Sequence, residues 1–319
     1  MAQKLLIDAD PGIIDALAVL VALTDSSVEL LGVTAVSGTV TGLQATRNLH
    51  YLIGLADPLR HPRVGQSDVA TCAADQTPPG MPAPCLLNGR LGLGEAEPNV
   101  PDLHNRRESA KLIVDIVREY PGEVRVLTLG PLTNLALAID LDPELPLIMQ
   151  DLVCLGGAFH AGGDVTAAAE FNIWADPLAA GQVFSANFGK TLVPLDVTLG
   201  TMLTFEDIER VSGLIPSTPI GETITSLMHF SARATRQHLP REGISLPAIG
   251  ALAVAARAGR YSFRPRVVDV ETSGAICVGM TVADHRPGRP RQTNADVVTE
   301  LDNAAVVDYF CRGIRRVAT

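Results

Sequence analysis

The stretch "KLLIDADPGIIDALAVLVAL" (Lys4–Leu23) decides the architecture. Its first apolar run, "KLLI", has the length and aliphatic content of a buried strand, whereas the run after the turn is too long for a strand and spells a helix. Pro11-Gly12 separates the two, and Asp8, Asp10 and Asp15 crowd around the break. Strand, tight turn and helix in that order begin a βαβ unit. The order recurs: "VELLGVTAVSG" precedes "LQATRNLHYLIGL", "EVRVLTLG" precedes "PLTNLALAIDL", and "DLVCLGG" and the helical "DPLAAGQVFSAN" lead to "KTLVPLDVT". From Lys4 to about Thr198 this alternation predicts an α/β fold with a mainly parallel open sheet flanked by helices. After Thr204 the pattern turns helical ("FEDIERVSGLI", "TITSLMHFSARATRQHL", "PAIGALAVAARAG"), which predicts a helical cap region. Strand-like "RVVDVETSGAICVGMTVAD" and a last helix, "NAAVVDYFCRGIRRV", follow. With no repeat and no dividing linker, residues 1–319 are expected to form a single domain.

The 319 residues are 47% hydrophobic, which supports a sizeable core and argues against disorder. No uncharged apolar run reaches the roughly 18 residues of a membrane span, and "MAQKLLIDAD" has a charged, strand-like start in place of a signal peptide's apolar stretch. A soluble cytoplasmic protein without a membrane partner is the expectation. The five cysteines, Cys72, Cys85, Cys154, Cys277 and Cys311, form no C-x-x-C pair; their scatter suits a reducing compartment and argues against a cysteine zinc site. A net charge of -10 excludes nucleic acid as the expected partner, because phosphate binding depends on a basic surface. The basic "HRPGRPRQ" (His285–Gln292) reads as a solvated loop. The Gly- and Pro-rich stretch from about Asp68 to Asn99 reads as a long functional loop or a disordered lid.

In open parallel sheets, ligands sit outside the carboxyl ends of the strands. Asp8 and Asp10, Ser37-Gly38-Thr39, Leu129-Gly130, Leu155-Gly156-Gly157 and Asp196 all fall at such ends and are expected to converge on one crevice. The acidic turn itself leaves two readings open. Its carboxylates repel one another, and a helix N-terminus supplies only about half a positive charge, so a hard cation such as calcium or magnesium would resolve the conflict. In the other reading Asp8 accepts from loop amides, Asp10 caps the helix and Asp15 complements the helix dipole. An Asp-x-Asp after the first strand also occurs in haloacid-dehalogenase-like phosphatases, but here Pro11-Gly12 follows the second aspartate and no later lysine with paired acids stands out.

The turn and several later segments resemble the nucleoside hydrolase family, often called inosine-uridine preferring. Its first motif, D-x-D-P-G-x-D-D-A, is matched by Asp8-Ala9-Asp10-Pro11-Gly12-Ile13-Ile14-Asp15-Ala16. The likeness continues through "SGTVTGLQATRN", "GPLTNLALA", "LGGAFHAGGDVTAAAEFNIWADPLAA", "VPLDVT" and "ETSGAICVGMTVAD", over nearly the whole chain. The resemblance implies hydrolysis of the N-glycosidic bond of a nucleoside with a bound calcium ion, in a protein that forms homodimers or homotetramers. It implies that Asp10 is both metal ligand and catalytic base, that Asp15 and the Leu129 carbonyl are further ligands, and that Asp8 stands behind them. Glu170 and Asn172 match residues that hold the ribose hydroxyls, and Asp164, Leu155 and Thr39 match substrate-facing positions.

The chain also departs from the family pattern. Ile14 stands where the family has an aspartate for the ribose 2′-hydroxyl. In "PAIGALAVAA", Gly250 aligns with a calcium-binding aspartate and Ile249 with a leaving-group histidine. Thr39 and Asp164 replace asparagines, Leu155 replaces a methionine, and Asn88-Gly89 replaces a histidine-glycine. Glu242, His238 and Asp164 are candidates to substitute from nearby. Three functions follow as expectations: an N-glycoside hydrolase with altered substrate or reduced activity, a non-catalytic relative that binds a small molecule or regulates, and the phosphatase.

Overall fold

The computed structural model describes residues 2–67, 69–71, 82–100, 107–284, 286 and 292–319. Cys72, most of "HRPGRPRQ" and the centre of the expected Gly- and Pro-rich loop lie outside these. In chain order the strands are β1 (Gln3–Ala9), β2 (Val28–Ala35), β3 (Arg63–Gly65), β4 (Val124–Thr128), β5 (Asp151–Leu155), β6 (Lys190–Val193), β7 (Met202–Thr204), β8 (Gly243–Ser245), β9 (Tyr261–Arg266), β10 (Val268–Val270), β11 (Thr281–Ala283) and β12 (Ala295–Leu301). The helices are α1 (Ile13–Thr24), α2 (Gly42–Ala56), α3 (Pro84–Asn88), α4 (Ser109–Glu119), α5 (Thr133–Leu141), α6 (Leu145–Ile148), α7 (Phe171–Ala175), α8 (Pro177–Ser185), α9 (Leu195–Thr198), α10 (Phe205–Ser212), α11 (Pro219–His238), α12 (Pro247–Ala255) and α13 (Asn303–Ala318).

The central sheet runs β3-β2-β1-β4-β5-β6-β12-β9, and every pairing is parallel except β12 with β9. The inner strands are nearly continuous apolar runs because both faces are covered. Leu5 and Ile7 face one core with α1, α11, α12 and α13, while Leu6, Val126 and Leu152 face another with α4, α5 and α8. Helix α1 is apolar on almost every side and is correspondingly buried between the sheet and its neighbours. Helix α13 approaches it closely at Gly313, where a Cβ would come 2.6 Å from Val21 Cγ1.

Chain connections leave β1 in one direction, through α1 to β2, and reach β4 on β1's other side. The carboxyl ends of β1 and β4 therefore flank the topological switch point, where a crevice opens. Asp10 and Leu129 stand at those two ends.

The strand-like run 266–284 supplies β10 and β11, which pair with each other apart from the central sheet. Strands β12 and β9 complete the central sheet, and neither is announced by an apolar run. Strand β9 is an edge strand, mostly exposed, and carries Arg264, Pro265 and Arg266, as edges do. Beyond residue 204, helices α10, α11 and α12 form the expected helical region. Among the described residues no helix is long and apolar enough to cross a membrane.

Two polar ties hold the layers. Arg125 of β4 pairs with both carboxylate oxygens of Asp151 on β5, each at 2.6 Å, and donates to the Ala255 carbonyl at the end of α12. At the far end of α1, buried Asp25 accepts from the Tyr309 hydroxyl of α13 at 2.5 Å and from both the amide and the hydroxyl of Ser27. Tyr309→Phe removes one of these donors and is expected to destabilise the protein by about 1–2 kcal/mol, read as a lowered urea midpoint with an unchanged slope.

Candidate active site

The carboxylate of Asp10 lies in a slot made by two glycines. A Cβ at Gly38 would overlap its Oδ2, and one at Gly130 would come 2.5 Å from its Oδ1. The Thr39 amide donates to Oδ2 at 2.5 Å, and the Thr39 hydroxyl bonds to the same carboxylate. Burial nevertheless lifts the Asp10 carboxyl to about 6. Asp15, in the first turn of α1, shares a hydrogen bond with Asp10; burial and then the Asp10 charge hold its carboxyl well above the usual carboxylate range. The two carboxyl groups are therefore hydrogen-bonded neighbours whose charges oppose each other and whose protonation is linked.

Asp8, inside β1, is turned to Thr34 of β2 and Asn134 of α5. Its Oδ1 accepts from Thr34 Oγ1 at 2.6 Å and Asn134 Nδ2 at 2.8 Å, while its buried Oδ2 has no hydrogen-bond partner among the described residues. Burial raises this carboxyl to about 7. Asn134 also donates to the Ala35 carbonyl, so it staples the ends of β1 and β2 together.

Asp10, Asp15, Thr39, Leu129, Leu155, Asp164, Glu170 and Asn172 line one cavity of about 260 Å³. Pro82, Pro84, Leu87, Asn88, Gly156, Phe171, Leu195 and Pro247 complete its walls. Glu170 caps α7: its Oε2 accepts from Ile173 N at 3.2 Å and from Gly157 N at 2.9 Å. Gly157 adopts φ +78, which lets the chain turn that amide back toward Glu170 after β5. Burial pushes the Glu170 carboxyl up to about 8, and the charge of Asp164 adds to the rise. Asp164 sits at the rim and accepts from Phe171 N at 2.9 Å. The Asn172 amide donates to the carbonyls of Leu129 at 2.7 Å and Leu155 at 3.0 Å, bridging the ends of β4 and β5.

The remaining positions singled out in the sequence fall outside this lining. Ile14 is partly buried against the apolar core, and Ile249 is wholly inside it. A Cβ at Gly250 would face Leu301 at 3.2 Å and Thr198 at 3.8 Å. His238 and Glu242 are exposed. Asp196 turns to the loop after β5, accepting from the amides of Phe159, His160 and Ala161. The glycine slot, Asn134 and the walls at Leu87 and Pro247 carry no sequence signal for a site beyond glycines placed at strand ends.

The profile of the family described as inosine-uridine preferring nucleoside hydrolase matches residues 5–308. The chain belongs to the inosine-uridine preferring nucleoside hydrolase family. Nucleoside hydrolases cleave N-glycosidic bonds, and this chain is a hydrolase of that kind. It is 35% identical to uridine nucleosidase 1 of Arabidopsis thaliana over 286 residues, covering 88% of this chain and 82% of that protein. It is 28% identical to the inosine-uridine preferring nucleoside hydrolase of Leishmania major over 95% of this chain and 94% of the other. Its fold superposes on a purine-preferring ribonucleoside hydrolase from Gardnerella vaginalis with a TM-score of 0.89 at 28% identity, over 99% of both chains.

Nucleoside hydrolases are generally metal-dependent. Among the described residues no group of three or more His, Cys, Asp or Glu side chains is arranged to hold a metal ion. The oxygens that are present do suit a hard cation: the Asp10 and Asp15 carboxylates and the Leu129 carbonyl, with water and substrate oxygens left to fill the shell. Two neighbouring carboxylates whose charges oppose each other are the arrangement that a divalent charge relieves.

The raised Glu170 carboxyl has a stability consequence with a definite sign. The native state keeps a proton that the unfolded chain releases above its ordinary value of 4.5, so this contribution is full below that pH and is lost as pH rises to about 8. Glu170→Gln keeps the neutral shape. Chemical unfolding followed from pH 5 to 8 is expected to show wild-type stability falling more steeply than that of the variant.

Proposed function

We propose that the protein hydrolyses the N-glycosidic bond of a nucleoside or related N-glycoside, with altered substrate or reduced turnover relative to its family, and that the reaction takes place in the cavity at the β1/β4 switch point. The observation that carries this reading is the convergence of Asp10, Asp15, the Leu129 carbonyl, Glu170 and Asn172 on one cavity of about 260 Å³. Asp10 takes a proton from the attacking water as the water oxygen bonds to the anomeric carbon and the carbon–nitrogen bond breaks, its electron pair leaving with the base. Thr39 and the two glycines fix the carboxylate for that transfer. Glu170 and Asn172, both in the cavity lining, would hold the sugar, where fixed hydrogen bonds favour an oxocarbenium-like transition state. A divalent cation, calcium by the family resemblance, would be held by Asp10, Asp15 and the Leu129 carbonyl, and when bound it would acidify and position the water.

Uridine is the first substrate to try, from the likeness to a uridine nucleosidase, followed by inosine and the 2′-deoxynucleosides, because Ile14 offers no acceptor for a 2′-hydroxyl. We propose further that residues 1–319 act as one domain in the cytoplasm, where the described cysteines, all free, would stay reduced, and that the chain assembles as a homodimer or homotetramer. A second reading, a non-catalytic binder of the same ligands, is favoured by Gly250, which brings no carboxylate to the site. Release of free sugar from these nucleosides by chelator-treated, calcium-reloaded protein separates the two. Turnover that falls by roughly 100-fold or more in Asp10→Asn is expected. Turnover retained in that variant contradicts the mechanism, and no turnover of any nucleoside favours the binder.

A further inference from the structure

Helix α1 has no side chain to cap its own N-terminus, since its N-cap residue is Gly12. The first amides of a helix have no partner within the helix and need an acceptor from elsewhere. That acceptor comes from 75 positions away: Asn88 Oδ1 receives the Ile13 amide at 3.0 Å. The fit leaves no room for a side chain at the cap, because a Cβ on Gly12 would come 2.6 Å from the same oxygen. Asn88 is the last residue of α3. Its amide nitrogen reaches the Pro84 carbonyl at 3.3 Å, and its backbone carbonyl accepts from Gly94 N at 2.7 Å.

The same loop is tied to the acidic turn a second time. Buried Asn48 of α2 donates to the Pro11 carbonyl at 3.1 Å and to the Leu91 carbonyl at 2.7 Å. Gly92, at φ +86, is packed so closely there that a Cβ would come 2.9 Å from the Pro11 carbonyl oxygen. Pro84, Leu87 and Asn88 form one wall of the cavity, and Asp15 stands in the first turn of the helix that Asn88 caps. Wall and turn are thus one hydrogen-bonded unit, assembled from segments that the sequence keeps far apart.

We propose that Asn88 is a positioning residue: by capping α1 directly from the cavity wall, its side-chain carbonyl fixes the turn that carries Asp15 and holds the wall at Pro84 and Leu87 in register with Asp10. The inference rests on the hydrolytic reading of the site and assigns a task to a residue that departs from the family's pattern. Loss of a side-chain cap loosens the first helical turn. Displacement of a reacting group by about 1 Å costs up to about 100-fold in rate. The carbonyl does the capping, so an aspartate, which keeps an acceptor in the same place, preserves it; an alanine does not.

The test measures hydrogen exchange at the Ile13 amide together with steady-state hydrolysis of uridine in calcium-loaded wild type, Asn88→Ala and Asn88→Asp. The expected result is loss of Ile13 protection and a fall in kcat of about tenfold in Asn88→Ala, with protection kept and kcat within about threefold in Asn88→Asp, and KM little changed in either. Unchanged kcat or unchanged Ile13 protection in Asn88→Ala overturns the proposal. So does equal loss of kcat in both variants with Ile13 still protected in Asn88→Asp, which would assign Asn88 to direct contact with substrate through its amide nitrogen. If wild type hydrolyses no nucleoside, the functional reading fails on its own, and Ile13 exchange in the two variants still decides whether Asn88 is the cap.

Discussion

Two carboxylates, Asp10 and Asp15, are held side by side at the end of the strand that starts the sheet, Asp10 buried and Asp15 partly so. Burial alone makes each expensive to ionise, and their proximity makes ionising both harder still. The surroundings are arranged to tolerate this conflict. Glycines on both sides let the backbone close around Asp10, and the Thr39 amide and hydroxyl return part of the lost solvation. What those neighbours do not supply is positive charge. A hard divalent cation held by these carboxylates and the Leu129 carbonyl, as proposed above, would relieve the conflict and supply acidification of the water.

The fold places this conflict where it can be used. Parallel strands covered on both faces leave only their ends open to ligands, and the reversal of strand order between β1 and β4 opens a crevice there. Around that crevice, backbone polar groups are satisfied by a few amide side chains. Asn134 joins β1 to β2, Asn172 joins β4 to β5, and Asn48 joins the acidic turn to the loop at Leu91. Each bridges segments distant in sequence, so the cavity is stiffened by contacts that only the folded chain can make.

This explains what could be read in advance and what could not. The acidic Pro-Gly turn, the parallel strands and the helical region after residue 204 are written locally, in apolar runs and turn residues, and all three are present in the structure. Strands β9 and β12 were not legible, because an exposed edge strand with Pro265 and its charged neighbour lack an apolar run. Within the site, the residues at strand ends could be named from position, and Asp10, Thr39, Leu129 and Leu155 do line one cavity. Asp196 stands at a strand end as well, yet its carboxylate turns to three amides of the neighbouring loop. Direction of a side chain depends on which backbone donors the tertiary fold brings near, and that information is spread over the whole chain. The same reason hides the cap at Asn88, whose partner lies 75 positions away in the sequence.

The central claim is that Asp10, Asp15 and the Leu129 carbonyl remain a working cation site without a carboxylate at Gly250. Calorimetric titration of calcium into chelator-treated protein, with Asp15→Ala as the control, tests it most directly. Saturable binding in the wild type that disappears in the control is the result this account predicts. No detectable binding, or binding that survives Asp15→Ala, would contradict it and leave the pair as a relic of a lost site.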